Sequence, residues 1–164
     1  MHVAAIALGS NLPSTFGDRA ANLREALSRL SRLGQIQAVS SFHDTAPVGY
    51  SDQPRFLNAA ALLRTPLAPL PLLEALLAIE RSMGRERTVP KGPRIVDLDL
   101  LLLGPLLVQT DRLTLPHPEM TRRRFVLEPL DEIAPKLTVP PTGLTVRELL
   151  LQLGEEEQPQ TAAG

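Results

Sequence analysis

Three features of the sequence predict an α+β fold with helices packed on an antiparallel sheet. Short apolar stretches of strand length alternate with two leucine-rich helical ones, the elements run strand, helix, strand, strand, helix, strand, and no segment repeats. The first strand is "VAAIALG" (Val3 to Gly9), which runs into a loop containing Asn11, Pro13 and Gly17. From Asp18 to Leu33 the residues Leu23, Leu27, Leu30 and Leu33 recur at helical spacing, with Gly34 placed to cap the end. "QIQAVSSFHDT" (Gln35 to Thr45) alternates apolar and polar residues as one half-buried strand does. After a Pro/Gly-rich loop, Ala46 to Pro54, "FLNAAALL" reads as the third strand. Pro69 and Pro71 open the second helix, which turns Leu72, Leu73, Leu76, Leu77, Ile79 and Met83 toward a core and closes at Gly84. The fourth strand is "KGPRIVDLDLLLLG" (Lys91 to Gly104). This order is that of a ferredoxin-like βαββαβ core with its helices on one face of the sheet. Additional C-terminal elements follow: Thr145 and Glu148 stand at capping-box spacing ahead of an apolar run, and the residues after Gly154 read as a disordered tail. Residues 1–154 are expected to form a single domain, the size of the chain suiting one core.

Composition narrows the function classes. With 43% hydrophobic and 21% charged residues the chain is of ordinary globular type, and no apolar run approaches the roughly 20 residues that cross a bilayer. There is no cysteine, hence no disulfide and no thiolate metal site. No basic segment followed by an apolar one opens the chain, so a cytoplasmic location is expected. A net charge of −1 lacks the positive field of a nucleic-acid binder. Locally, however, Arg81, Arg85, Arg87, Lys91 and Arg94 cluster, Arg122, Arg123 and Arg124 are consecutive, and arginine suits bidentate phosphate contacts.

Asp97 and Asp99 lie inside the apolar fourth strand, where an unpaired charge is costly to bury. In a strand, residues i and i+2 share a face about 6.5 Å apart, so the carboxylates converge and require a cation or a proton between them. Oxygen-only ligands of this kind suit Mg²⁺, which keeps water and substrate phosphates in its other positions; a pair of ions about 3.5 to 4 Å apart fits such a site. The alternative is a strand whose solvent-facing side carries two hydrated aspartates. Gly92-Pro93-Arg94 then sets a stiff turn and a cation three residues before Asp97. Arg85 and Arg87, joined to it by "TVPK", supply more positive charge than two carboxylates need, a surplus that suits a polyphosphate. Neither phosphate loop, G-x-x-x-x-G-K-[ST] or G-x-G-x-x-G, occurs, and the three histidines form no argued triad. His117 stands on a stiff segment between Pro116 and Pro118. Of only five aromatic residues, Phe56 and Phe125 are placed to sandwich a flat heterocycle if they flank a cleft, beside Asn58, whose amide both donates and accepts; plain core packing is the other explanation.

In order along roughly residues 4 to 140, "ALGSN", "TAPVGYSDQPRFLNAA", "IERSMGRER", "GPRIVDLDLLLLG" and "LPHPEMTRRRFVLEPLDEIAP" resemble the 6-hydroxymethyl-7,8-dihydropterin pyrophosphokinases of folate synthesis. The resemblance implies a ferredoxin-like enzyme that moves the terminal diphosphate of ATP onto the pterin hydroxymethyl group and releases AMP. It implies two Mg²⁺ ions held by Asp97 and Asp99, with Arg85 and Arg94 beside them in the catalytic set. By position Glu80, Arg87, Arg94, Leu100, Arg112, Thr114, His117 and Arg123 correspond to nucleotide contacts. Thr45, Ala46, Pro47, Val48, Phe56, Asn58 and Phe125 correspond to the pterin pocket, the two phenylalanines as its stacking pair. Where many members carry a basic residue and a tryptophan, this chain has Pro90 and Lys91, so no aromatic seal is implied there. The expected partners are therefore two small molecules, ATP and the pterin alcohol, with neither nucleic acid nor membrane. A non-catalytic ferredoxin-like ligand-binding module gives no reason for two aspartates on one face. An RNA-binding sheet is opposed by the neutral charge and the absence of closely spaced surface aromatics.

Overall fold

The computed structural model describes residues 1–45, 55–84 and 94–156. In chain order these form β1 (His2–Ser10), α1 (Arg19–Leu30), β2 (Gln35–Val39), β3 (His43–Thr45), β4 (Phe56–Thr65), α2 (Pro69–Ser82) and β5 (Asp97–Leu103). Next come β6 (Val108–Gln109), β7 (Thr114–Leu115), a 3-10 turn at Met120–Arg122, α3 (Arg124–Ile133), β8 (Thr138–Val139), β9 (Leu144–Thr145) and α4 (Val146–Glu156). The main sheet runs β2-β4-β1-β5, with β3 beside β2 on the same edge of β4. Every pairing in it is antiparallel. The predicted βαββαβ core is present, and α4 carries the predicted capping box: Thr145 N–H donates to Glu148 Oε1 at 2.9 Å and Glu148 N–H to Thr145 Oγ1 at 3.1 Å. That helix runs to Glu156, past the Gly154 at which the sequence suggests the folded part ends.

The two core helices lie on one face of the sheet, as predicted, and the C-terminal helices cover the other. Ala4, Ile6 and Leu8 of β1 point into a core with Leu23, Leu30, Leu72 and Leu76 of α1 and α2. Ala5 of the same strand points the other way, into a core with Val126, Leu127, Leu130, Leu149 and Leu153 of α3 and α4. A central strand buried on both sides is a continuous apolar run, as "VAAIALG" is. Helix α3 has no counterpart in the sequence prediction because Pro129 lies within it, and proline ordinarily stops a helix.

Three boundaries also move. The stretch Gln35 to Thr45 is two strands: Ser40 Oγ accepts the N–H of Ala60 at 2.9 Å and itself donates to Ser41 O, which interrupts the ladder. Helix α1 ends at Leu30, capped by Ser31, and Gly34 instead permits a close approach, since a Cβ there would stand 2.1 Å from Arg64 O. Strand β5 begins at Asp97. Within it the register against β1 shifts, Ile6 facing Leu100 but Ala5 facing Leu102, so Leu101 is an extra residue in a β-bulge. The bulge reverses the alternation: Leu98 and Leu100 join the α1/α2 core, while Leu101 and Leu102 both join the α3/α4 core. No helix among the described residues is long and apolar enough to cross a membrane.

Candidate active site

Pairing register sets the site's floor and walls. On the α3 side of the sheet, Asn58 of β4 faces Gly9 of β1, and Gly9 faces Asp97 of β5; one step along, Ala60, Ala7 and Asp99 form a second row. With strands about 4.8 Å apart, the amide and carboxylate walls stand about 10 Å apart across a floor whose cleft-facing residues on β1 are Ala7 and Gly9. The floor has to be small: a Cβ on Gly9 would lie 3.1 Å from Asn58 Oδ1 and 3.6 Å from a ring carbon of Phe56. The resulting cleft, about 190 Å³, is lined on one side by Thr45, Phe56 and Asn58 and on the other by Arg94, Asp97 and Asp99. Arg123, Phe125 and Val126, where α3 begins, close its third side.

On the acidic wall, Arg94 Nη1 donates to Asp97 Oδ2 at 2.8 Å, both side chains being largely sheltered, and Asp99 is exposed. The sequence expectation that both carboxylates share one face, with the guanidinium of residue 94 adjacent, therefore holds. Arg94 is itself fixed through its backbone: its N–H donates to Asn11 Oδ1, and its carbonyl accepts from Asn11 N–H at 3.0 Å. Asn22 of α1, fully buried, holds the same loop by donating to Leu12 O at 2.7 Å and Ser10 Oγ at 3.1 Å. Sequence reasoning missed both asparagines, and the only signal was the strand-end glycine turn of "ALGSN".

Glu80 is buried and accepts the N–H of Leu98, the residue between the two aspartates, at 2.7 Å. Among the described residues β5 is an edge strand, and this carboxylate occupies a ladder position on its open side. The Leu100 side chain is in the α1/α2 core, away from the cleft. Arg112 is exposed and paired with Glu74 at 3.1 Å, and Thr114 is exposed on β7. His117 N–H donates to the carbonyl of the bulge residue Leu101 at 2.7 Å, and its Nδ1 accepts from Glu119 N–H. Burial pushes the His117 imidazole below its usual range, the nearby charge of Asp99 opposing and that of Arg123 reinforcing the shift. Glu80, Leu100, Arg112, Thr114 and His117 thus lie outside the cleft lining, around its acidic side and β5. Arg85, Arg87, Ala46, Pro47 and Val48 lie outside the described residues.

On the opposite wall, Asn58 Nδ2 donates to Thr45 Oγ1 at 2.6 Å. The Arg123 guanidinium stands 5.6 Å from the centroid of the Phe125 ring. The site thus joins an acidic, arginine-flanked wall to an aromatic one bearing an amide.

Residues 5–135 match the family of 7,8-dihydro-6-hydroxymethylpterin-pyrophosphokinase (HPPK). The chain belongs to this family. It is 46% identical over 134 residues to the 2-amino-4-hydroxy-6-hydroxymethyldihydropteridine pyrophosphokinase of Bacillus subtilis, covering 80% of this chain and 78% of that one. Identity to the Pseudomonas aeruginosa protein of the same name is also 46%, over 147 residues and 88% of each chain. A crystal structure of Plasmodium falciparum HPPK-DHPS with pteroate superposes with a TM-score of 0.71 at 15% identity, over 92% of this chain but 44% of that longer one. The HPPK match contains every described strand of the main sheet except the first residues of β1, together with α1, α2 and α3, so both walls of the cleft fall inside it.

Proposed function

We infer that the cleft transfers diphosphate from ATP to 6-hydroxymethyl-7,8-dihydropterin, giving AMP and the pterin diphosphate for folate synthesis. Family membership supports the reaction, and one observation supports the place: Asp97 and Asp99 face the same cleft as Phe56, Asn58 and Phe125. The pterin ring would lie between Phe56 and Phe125 with its amide edge toward Asn58, whose orientation is set by Thr45. Its hydroxymethyl arm would then point across Ala7 and Gly9 toward the carboxylates.

Among the described residues no group of three or more histidine, aspartate or glutamate side chains could hold a metal ion. Two carboxylates with an all-oxygen donor set nevertheless fit Mg²⁺ bound with a nucleotide, which takes one or two carboxylates and completes its shell with water and phosphate. Asp97 and Asp99 would hold it, two ions being the proposed number; bound there, it would neutralise triphosphate charge and lower the pKa of the attacking hydroxyl. The chain's own contribution is positioning. The hydroxyl oxygen forms its bond to the β-phosphorus as the bond from that phosphorus to the α-phosphate oxygen breaks, AMP leaves, and the hydroxyl proton passes to water or a phosphate oxygen. Arg94, anchored by Asn11, and Arg123 face that region and offset charge growing on the phosphate oxygens, with Arg85 and Arg87 assigned to the same task. Glu80, Leu100, Arg112, Thr114 and His117 are assigned to the nucleotide, beside β5 where ATP would approach. The enzyme is placed in the cytoplasm.

Incubating the protein with ATP, Mg²⁺ and the pterin alcohol should give AMP as the nucleotide product, and Asp97→Ala should suppress it by a factor of 100 or more, about what a lost transition-state charge contact costs. ADP as product would reject diphosphoryl transfer.

A further inference from the structure

Seven residues beyond Phe125 on α3, and so about 10 Å further along the same face of the helix, Glu132 reaches β3. Its Oε1 accepts from Ser41 Oγ at 2.8 Å and bonds His43 Nε2 at 2.9 Å, and its Oε2 accepts from Ser41 N–H at 3.0 Å. These bonds hold the Glu132 carboxyl below the ordinary range, His43 contributing most. The strand so gripped carries the pterin wall. His43 faces Asn58 across the ladder, and Thr45, two residues on and on the same face, receives the Asn58 amide hydrogen bond. Helix α3 therefore presents Phe125 to the cleft at one end of a stripe and bonds β3 through Glu132 at the other.

We propose that Glu132 is a positioning residue for the pterin, setting the separation between Phe125 on α3 and the Thr45/Asn58 wall on β3 and β4. The proposal rests on the assignment of those three residues to the pterin. β3 has three residues and pairs only with β4, and without the carboxylate nothing else among the described hydrogen bonds ties its side chains to α3. Glu132 is 40% exposed, so its bonds add little to overall stability while they fix a distance. A carboxylate is needed because three donors converge on two oxygens; an amide in its place accepts at one oxygen only.

The test is a fluorescence titration of the pterin alcohol and a separate one of ATP analogue, on the full chain and its variants. Glu132→Ala should weaken pterin binding about tenfold, the worth of roughly one well-placed hydrogen bond, and Glu132→Gln by less, with ATP-analogue affinity within about twofold of wild type. Thermal midpoints should stay within about 3 °C, since the contact is exposed. In turnover the loss should appear in the pterin KM and not in the ATP KM. Ser41→Ala, which removes one donor and keeps the carboxylate, should reproduce part of the effect and serves if Glu132→Ala folds poorly. Asn58→Ala is the control. If Asn58→Ala weakens pterin binding and neither Glu132→Ala nor Ser41→Ala does, the positioning role is rejected; equal losses for pterin and ATP analogue reject it too, as a general structural effect. If Asn58→Ala leaves pterin binding unchanged, the pocket assignment fails first and the proposal falls with it.

Discussion

Adding one methyl group to the cleft floor should separate the two substrates' binding energies. Gly9→Ala places a Cβ 3.1 Å from Asn58 Oδ1, where ordinary contact begins near 3.4 Å, so the amide has to yield by about 0.3 Å. Asn58 is buried and joined to Thr45 Oγ1 by a 2.6 Å bond, and it retreats only by bending or breaking that bond. A neutral hydrogen bond is worth about 1 kcal/mol and 1.4 kcal/mol is a decade in affinity, so pterin binding should weaken about five- to tenfold. Folding stability should change by less than about 1 kcal/mol, because replacing glycine reduces the freedom of the unfolded chain by an amount comparable to the crowding. ATP binding should hold, since the crowded atoms are all on the Asn58 and Phe56 side. Fluorescence titration of each ligand together with urea denaturation measures all three quantities. Unchanged pterin affinity, or a matching loss for ATP, would refute the assignment of that wall.

Asp97→Asn and Asp99→Asn should each lower AMP formation by at least about 100-fold while the thermal midpoint moves by only a few degrees, Asp99 least because it is exposed. Asn22→Ala strips Leu12 O and two serine hydroxyls of their buried partner and should cost about 2 to 4 kcal/mol in urea denaturation. The Arg19 guanidinium bonded to Asp44, with Arg55 beside it, holds the Asp44 carboxyl below its ordinary value of 3.8. A lowered folded-state value contributes stability that is present above the ordinary range and is lost as pH falls through the lowered one. Asp44→Asn should therefore flatten the acid limb of the stability curve below about pH 4, and at neutral pH cost no more than about 1 kcal/mol, the pair being half exposed. Thr145→Ala, which removes half of the α4 capping box, should destabilise by about 1 kcal/mol in the same assay.

The local signals were legible where one physical requirement dominates. Leucines at helical spacing mark α1 and α2, the capping box marks α4, and the spacing of Asp97 and Asp99 states that they share a face, as the β1–β5 register confirms. What escaped depends on long-range partners. Pro129 hides α3, because the helix survives on the burial of Val126, Leu127 and Leu130 against the sheet, which no local pattern displays. Ser40 breaks one apparent strand into two through a bond to Ala60, twenty residues away in sequence. Asn11 and Asn22 look like ordinary loop and helix asparagines until the fold brings Arg94 and Leu12 to them. Phe56 and Phe125, which line the cleft, stand out because aromatic residues are so scarce here that each position carries weight.

The extra leucine at 101 makes this chain unusually intolerant of length change in one short segment. Deleting any single residue from 100 to 102 would restore plain alternation, leave both acidic groups on the cleft face and take one leucine out of the far core. The same insertion or loss between β6 and β7 would disturb only a two-residue ladder. Natural variants of this protein should therefore differ in size at the β6–β7 turn and keep a constant count from Asp97 to Leu103, the strand whose surplus residue holds the His117 N–H by its carbonyl.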